Sequence, residues 1–329
     1  MDIRCERTSS EIQAYSENNM ALEFLRTVLR TTPLDAYFQE QGDHVERSNR
    51  YYDFVTGLYQ QFYGDDFHVC YQDPGETREA AQRRMSEMFI ADAGVASGGR
   101  AIDLGGGVGS LSIALARKGC RVTCVNINDH QLAIARQRAR AAGVEVEFVK
   151  QDIMQLRLEE KFDAAFLIDV DSHLPDKSLA LDRIAEILRP GGRLVVTAWL
   201  QREDTAPLEE EFFLRVMNRC VGLSHLATLS EYAALADKKG FRKIRFEDGT
   251  PKLAFYMERL YREQLELARS GASFATLAGA LKNLSLLKTL ARRDVYIAID
   301  EAFRGILYLK LCYDAGLFRF GYFVLEAPT

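Results

Sequence analysis

The sequence predicts an α/β fold built on a doubly wound parallel sheet. Two observations predict it. From residue 100 onward, short apolar runs of strand length alternate with amphipathic helical stretches. A glycine-rich loop also follows the first apolar run and opens the next helix. The composition of the 329 residues, 47% hydrophobic and 27% charged, is ordinary for a globular protein.

The first hundred residues show helical patterns and no strand signal. Apolar residues recur at helical spacing in residues 1–50, which indicates an amphipathic helical segment. The following residues are aromatic at first and become helical over 78–91, before Gly98-Gly99 make a clear break. We expect residues 1–95 to form a helical lid or substrate segment, with a homodimer contact as the alternative role.

The middle of the sequence, residues 96–252, carries the alternating elements. The predicted strands are Ala101–Leu104, Val122–Ile127, Val146–Val149, Phe162–Ile168, Leu194–Ala198 and Ile244–Phe246. The predicted helices between them are Leu111–Lys118, Gln131–Ala142 and Leu179–Leu188. Arg189-Pro190-Gly191-Gly192 is a good stop signal for the last of these helices. This order is typical of a parallel sheet with helices on both faces.

The last part of the sequence, residues 253–329, begins with a long helical pattern. Apolar residues recur at helical spacing over Leu253–Asp314, and Phe320–Glu326 is apolar and β-prone. We interpret the helical stretch as an insertion before a last strand that completes the core.

Composition excludes several functional classes. A formal net charge of -5 disfavours nucleic acid as a partner. The six cysteines are scattered without metal-ligand spacing, so we expect buried thiols in a reducing cytoplasm and no metal. No apolar run reaches the ~20 residues of a membrane span, and the N-terminus lacks a secretory apolar region. A small-molecule substrate is the expected partner.

The glycine-rich loop predicts a cofactor site. Its residues are Asp103-Leu104-Gly105-Gly106-Gly107-Val108-Gly109, between a strand and a helix. Glycines let a ligand approach the backbone, and the helix N-terminus offers free N–H groups. The nicotinamide fingerprint needs a third glycine where Ser110 stands. Because the Asp103 carboxylate suits the cationic groups of S-adenosylmethionine better than a pyrophosphate, the loop favours that cofactor.

Polar residues follow the next two strands. Asn126 stands 21 positions after Gly105, where a carboxylate usually holds the ribose hydroxyls, and an amide can also bond a hydroxyl. Gln151-Asp152-Ile153 follows the third strand, and Asp152 can accept a hydrogen bond from an adenine amino group. The alternative interpretation is that Asn126 and Asp152 only stabilise turns.

Several stretches together resemble a known family. They are YYDFVT at 51–56, Tyr59, Gly64, Phe67-His68, VNINDHQ at 125–131, FVKQD at 148–152, DVDSHLP at 169–175 and LRPGG at 188–192. In these stretches the protein resembles the sterol C-methyltransferases, which methylate the sterol tail, and more loosely the cyclopropane fatty acid synthases and tocopherol methyltransferases. The resemblance covers roughly residues 45–200. The sterol enzymes carry an acidic and aromatic cluster where this sequence has Gln60-Gln61-Phe62-Tyr63, so a prenyl group or another alkene is an equal candidate substrate.

The resemblance implies a Rossmann-like, seven-stranded class I methyltransferase sheet with S-adenosylmethionine at the carboxyl ends of its strands. An aromatic N-terminal segment would close over cofactor and substrate. The expected cofactor-binding residues are Tyr52, Thr56, Asp103, Gly105, Gly106, Gly107, Gly109, Asn126, Ile127, Gln131, Gln151, Asp152, Ile153 and Ile168.

The expected chemistry is methyl transfer, in which the protein aligns the nucleophile with the methyl group. Attack by an alkene leaves a carbocation that aromatic faces can stabilise. The expected substrate-binding residues are Tyr59, Tyr63, Phe67, Asp169 and Trp199. A base must then remove a proton, and the candidates are His173, His68 and Glu76.

Four functions stay open at this point. Methylation of an alkene carbon in a terpenoid, prenyl or sterol-like natural product is favoured by the sterol-like stretches. The same residues allow an O- or N-methyltransferase of secondary metabolism. A nicotinamide-dependent oxidoreductase and a non-catalytic cofactor-binding protein are the remaining alternatives.

Overall fold

Seven strands in one sheet form the centre of the protein. The computed structural model describes residues 44–220, 222–269 and 305–328. The strands are β1 (Arg100–Leu104), β2 (Arg121–Asn126), β3 (Glu147–Lys150), β4 (Phe162–Ile168), β5 (Leu188–Gln201), β6 (Arg242–Asp248) and β7 (Phe318–Glu326). Their order in the sheet is β3-β2-β1-β4-β5-β7-β6.

The pairing confirms the doubly wound sheet and adds one antiparallel strand. Strands β1 to β5 pair in parallel, whereas β7 runs antiparallel to both β5 and β6. The strand order reverses between β1 and β4, and in such sheets a crevice opens at this point beyond the carboxyl ends of the strands. The fold therefore places the ends of β1, β2 and β4 around one site.

Helices connect the strands, and polar side chains cap the first turn of several of these helices. The helices are α1 (His44–Tyr63), α2 (Arg78–Ala93), α3 (Ser110–Arg117), α4 (Asp129–Ala141), α5 (Lys177–Ile187), α6 (Leu229–Lys238) and α7 (Ala254–Arg269). A helical stretch also runs through Pro207–Glu209, the π-turn Glu210–Leu214 and Arg215–Cys220, and residues 305–314 are helical. Asn128 accepts from the backbone N–H of Gln131 at the start of α4, which fixes the turn after β2.

The structure differs from the sequence prediction in three places. Helix α1 runs through the aromatic residues after position 50, where no helix was predicted. Strand β5 begins at Leu188 rather than Leu194. Its pairing with β4 shifts register, so the residues that were predicted to end the preceding helix belong to the strand. Between β5 and β6 both the helical stretch over residues 207–220 and helix α6 were missed, although Thr228 and Glu231 form the capping box that signals the start of α6. Of the predicted helical stretch Leu253–Asp314, residues 270–304 lie outside the described part.

Apolar side chains cover both faces of the sheet. On one face, the ring of Phe89 from α2 stacks on Tyr322 of β7, with 5.7 Å between centroids. On the other, Tyr232 of α6 and Phe246 pack against Phe323. Cys120 and Cys124 are buried free thiols, as expected. This packing gives the strand ends that line the crevice a rigid support.

Among the described residues, no helix has both the length and the apolarity needed to cross a membrane.

Candidate active site

A cleft lies at the carboxyl ends of β1, β2 and β4. It encloses about 1710 Å3, counting the space open to solvent. Helix α1 and the segment that follows it form one wall, and the turns after the three strands form the floor. Helix α7 and residues 305–314 contribute the remaining wall. The cleft therefore combines residues from nearly the whole described part of the protein.

The glycine loop after β1 is too tightly packed for larger residues. A Cβ on Gly106 would lie 2.6 Å from the Cys124 sulfur and 2.7 Å from a carboxylate oxygen of Asp103. A Cβ on Gly105, whose φ is +74°, would lie 2.5 Å from Val170. Helix α3 then begins after Gly109, an N-cap residue that offers no capping group of its own. Backbone N–H groups of the first turn are thus available to a ligand.

Asp103 places a buried carboxyl group beside this loop. Its side chain is 3% exposed and accepts a hydrogen bond from the Ser112 hydroxyl at 2.6 Å. Burial raises the pKa of Asp103 to about 6, while the Ser112 bonds and the nearby His68 ring act in the opposite direction. A bound cation would stabilise the carboxylate, so the site fits the charged groups of S-adenosylmethionine.

Asn126 and Gln131 form a buried amide pair after β2. Asn126 Nδ2 donates to Gln131 Oε1 at 2.8 Å, and Asn126 Oδ1 accepts from the backbone N–H of Ile127. Both amide groups also line the cleft. The two amides therefore hold each other in a fixed orientation, with Asn126 at the position predicted for the ribose contact.

The Asp152 carboxylate divides its two oxygens between a turn and the cleft. Oδ1 accepts from the backbone N–H of Met154, which is the turn-capping role considered as the alternative. Oδ2 is buried without a hydrogen bond, and the His44 Nε2 atom lies 3.1 Å from it. A carboxylate oxygen can accept two hydrogen bonds, so Oδ2 can take an adenine amino group beside the His44 ring. His44, Gln151 and Ile153 line the same part of the cleft.

Tyr52 and His173 form a hydrogen-bonded pair across the cleft. The Tyr52 hydroxyl lies 2.9 Å from His173 Nε2, and His173 Nδ1 lies 3.0 Å from the Gly222 carbonyl oxygen. The carbonyl can only accept, so Nδ1 carries the proton and Nε2 accepts from the tyrosine hydroxyl. Burial lowers the pKa of His173 to about 4 and raises the pKa of Tyr52 above its usual range. The ring is therefore neutral near pH 7.

The segment after α1 is fixed to the end of β4 by Asp169. Both carboxylate oxygens of Asp169 are bonded, one by the Thr197 hydroxyl at 2.6 Å and one by the Val69 N–H at 2.8 Å. Asp169 has a φ of +54°, which is uncommon outside glycine. These bonds place Phe67 and His68 in the cleft wall.

Aromatic and aliphatic side chains line the rest of the cleft. Tyr59 packs edge-on against Phe67 with 5.5 Å between centroids, and Trp199 packs against Phe318. Sequence reasoning missed the other apolar residues of this wall, which are Tyr51, Leu223, Tyr256, Leu260, Ile306 and Leu309. Four of them lie on α7 and residues 305–314, where only an amphipathic pattern was visible. We call this apolar set, with Tyr59, Phe67 and Trp199, the acceptor wall.

Most predicted site residues line the cleft, and three of those that the structure describes do not. Glu76 lies elsewhere and accepts from the Arg84 guanidinium, which lowers the pKa of Glu76. Thr56 is fully buried behind the cleft surface, and Gly109 lies under the loop as the N-cap of α3. Tyr63 is part of α1, but its side chain lies outside the described part.

Comparison with known proteins finds methyltransferases among the relatives. Residues 102–196 match a family model described as a methyltransferase domain. Methyltransferase GfsG of Streptomyces halstedii is 32% identical over 227 residues, which cover 66% of this protein and 78% of GfsG. A sterol 24-C-methyltransferase of Neurospora crassa is 29% identical over 212 residues, or 63% of this protein. The match spans 56% of the sterol enzyme, little more than half of its length.

A solved structure shares the fold. The cyclopropane synthase MmaA2 from Mycobacterium tuberculosis aligns with a TM-score of 0.70 over 88% of this protein and 100% of MmaA2, at 16% identity. The seven-stranded, Rossmann-like architecture expected from the sequence is therefore found in the structure and in this neighbour.

Proposed function

The protein belongs to the methyltransferase family, and from this premise we propose that it transfers a methyl group from S-adenosylmethionine to an alkene carbon of an uncharged, largely apolar acceptor. The acceptor class is that of a terpenoid, prenyl or sterol-like natural product, as for the sterol relative. The observation that carries this choice is the acceptor wall, which meets the Tyr52–His173 pair in one cleft.

The residues at the ends of β1, β2 and β3 would hold the cofactor. In this proposal the glycine loop faces the amino acid part of the cofactor, and Asp103 faces its positive charge. Asp152 Oδ2 accepts a hydrogen bond from the adenine amino group. Asn126 and Gln131 lie where the ribose would bind. When bound, S-adenosylmethionine supplies an electrophilic methyl group. In the proposed division, residues 1–95 form the lid, of which 44–95 are described, and 96–252 form the cofactor domain. The described residues of 253–329 complete the acceptor wall.

The acceptor wall favours an uncharged hydrocarbon. Aromatic rings at Tyr59, Phe67 and Trp199 exclude water and can stabilise a positive charge that develops on the acceptor. Burial raises the pKa of Asp169, so this carboxyl group offers no positive charge that could hold an anionic group at the same place. Both features suit an alkene whose methylation leaves a carbocation.

The Tyr52–His173 pair would act as the base. In this proposal the Tyr52 oxygen takes the proton from the methylated acceptor while its own proton passes to His173 Nε2, 2.9 Å away. The Nδ1–H of the imidazolium stays on the Gly222 carbonyl oxygen. His173, with a pKa of about 4, is basic enough to accept a proton that comes from a strongly acidic carbocation. It is too weak a base to deprotonate an alcohol efficiently.

Calorimetric titration with S-adenosylmethionine and S-adenosylhomocysteine, with a nicotinamide cofactor as the control ligand, tests the cofactor assignment. Acceptors are then screened with methyl-labelled S-adenosylmethionine, using prenyl alcohols, sterols, phenols and amines. We expect micromolar binding of the first two ligands and a new carbon–methyl bond in a prenyl or sterol product. Labelling of phenols or amines alone would instead support O- or N-methylation and contradict the proposal.

A further inference from the structure

A series of hydrogen bonds, connected at Tyr52 through the residue itself, joins the two halves of the cleft. Asn126 Nδ2 donates to Gln131 Oε1 at 2.8 Å, and Gln131 Nε2 donates to the Thr56 hydroxyl oxygen at 3.1 Å. The Thr56 hydroxyl donates in turn to the Tyr52 carbonyl oxygen at 2.5 Å. The Tyr52 hydroxyl then bonds His173. The series thus begins at the predicted ribose position and ends at the predicted base.

Thr56 is the link that only a hydroxyl group can supply. Its hydroxyl group accepts one hydrogen bond and donates another, so an apolar residue of the same shape would remove both bonds, to Gln131 and to the Tyr52 carbonyl oxygen. Thr56 is 0% exposed and does not line the cleft, whereas Gln131 and Tyr52, on either side of it, do. The geometry therefore separates Thr56 from the direct cofactor contact that the family resemblance implied for it.

The turn after β2 holds α1 at a second point. Asn128 Nδ2 donates to Asp53 Oδ1 at 2.7 Å and to Asn49 Oδ1 at 3.2 Å. The same Asn128 caps α4 through the N–H of Gln131. Helix α1 is therefore tied to the residues that lie beside the expected cofactor by more than one bond, and Thr56 is the tie that also bonds Tyr52 itself.

We propose that Thr56 is a positioning residue, which couples the occupancy of the cofactor half of the cleft to the placement of Tyr52 against His173. This inference rests on the proposed function. A ligand that bonds Asn126 and Gln131 adds partners to amides that already hold each other, so it further stabilises the Gln131 donor on the Thr56 hydroxyl, which stays on the Tyr52 carbonyl oxygen. Coupling of this kind is reciprocal, so the placement of α1 also favours the ligand.

Hydrogen–deuterium exchange measured by mass spectrometry, with and without S-adenosylmethionine, tests the coupling without any acceptor. The proteins are the wild type, Thr56→Val, Thr56→Ser and the control Thr123→Val, which removes a buried hydroxyl bonded to Glu147 far from α1. We expect the ligand to slow exchange in α1 for the wild type, Thr56→Ser and Thr123→Val. In Thr56→Val this slowing should fall by about half or more, while Kd rises no more than about threefold.

Two outcomes would overturn the proposal. One is ligand-induced slowing in Thr56→Val equal to that in the wild type. The other is a loss of affinity of more than about tenfold in Thr56→Val that Thr56→Ser restores, because this would mark a direct cofactor contact. If Thr56→Val does not fold, Thr56→Cys replaces it, because a thiol forms weaker hydrogen bonds at the same two positions. The same two measurements then decide the outcome. Failure of the wild type to bind S-adenosylmethionine would overturn the proposed function itself.

Discussion

Lowering the pH from 7 to 5 should weaken the binding of S-adenosylmethionine about tenfold through one residue, Asp103. Burial raises its pKa to about 6 in the free protein. With that pKa, roughly nine-tenths of the carboxyl groups are ionised at pH 7 and about one-tenth at pH 5. A cationic ligand that requires the carboxylate must then displace a proton at pH 5, which costs about 1.4 kcal/mol.

The assay is calorimetric titration at pH 5, 6, 7 and 8 and constant ionic strength. Asp103→Asn should bind weakly and with little dependence on pH. His68→Gln is the second variant, because the His68 ring interacts electrostatically with Asp103. A wild-type affinity that is constant over this range, or a tenfold slope that persists in Asp103→Asn, would refute the role assigned to Asp103.

The same raised pKa predicts an effect of opposite sign on stability. Between about pH 4 and pH 6 the folded protein keeps a proton at Asp103 that the unfolded protein has released, so the free energy of unfolding falls over this range and stays lower above it. Asp103→Asn should therefore raise the free energy of unfolding at pH 7, by at most about 3 kcal/mol. Chemical denaturation measures the change, and a loss of stability in this variant would contradict the reasoning.

Four further predictions concern the loop, the base and the core. Gly106→Ala should weaken cofactor binding at least a hundredfold in titrations, because its Cβ meets a buried sulfur and a carboxylate, whereas Gly57→Ala has open space and should bind normally. Tyr52→Phe should keep cofactor affinity and lower kcat by about a hundredfold or more. Because the pKa of His173 is about 4, kcat at saturating cofactor should fall only as the pH approaches 4, and a fall centred near 6.5 would contradict the assignment. Phe89→Ala should lower the free energy of unfolding by about 3–5 kcal/mol, measured by denaturant titration.

Local patterns were enough to predict most of the sheet. Strand β4 was predicted with the bounds Phe162–Ile168 that the structure shows, since an apolar run between polar residues can pack only as a buried strand here. The position of the glycine loop was equally clear, because the requirement for glycine at Gly105 and Gly106 comes from their immediate surroundings. Strand β5 was predicted too short, since its first residues pair with β4 only through a register shift.

The candidate site could be predicted only in part. Asn126 and Asp152 were identified because strand ends of a parallel sheet converge at one edge. The sequence did not show that one oxygen of Asp152 bonds the backbone of the turn while the other faces the cleft, because this depends on the folded geometry of the turn. Glu76 was expected as a base because it is an acid near the lid segment, and the structure pairs it with Arg84 outside the cleft.

The sequence by itself determined the fold class, the cofactor loop and the family, because these depend on residue types at short and regular spacing. Only the tertiary structure decided that Tyr52 meets His173, 121 positions away, and that Leu260 and Leu309 complete the acceptor wall. Residues so far apart in the sequence share no local pattern. Their contacts follow from how helices pack on the sheet, which is set by the whole core at once.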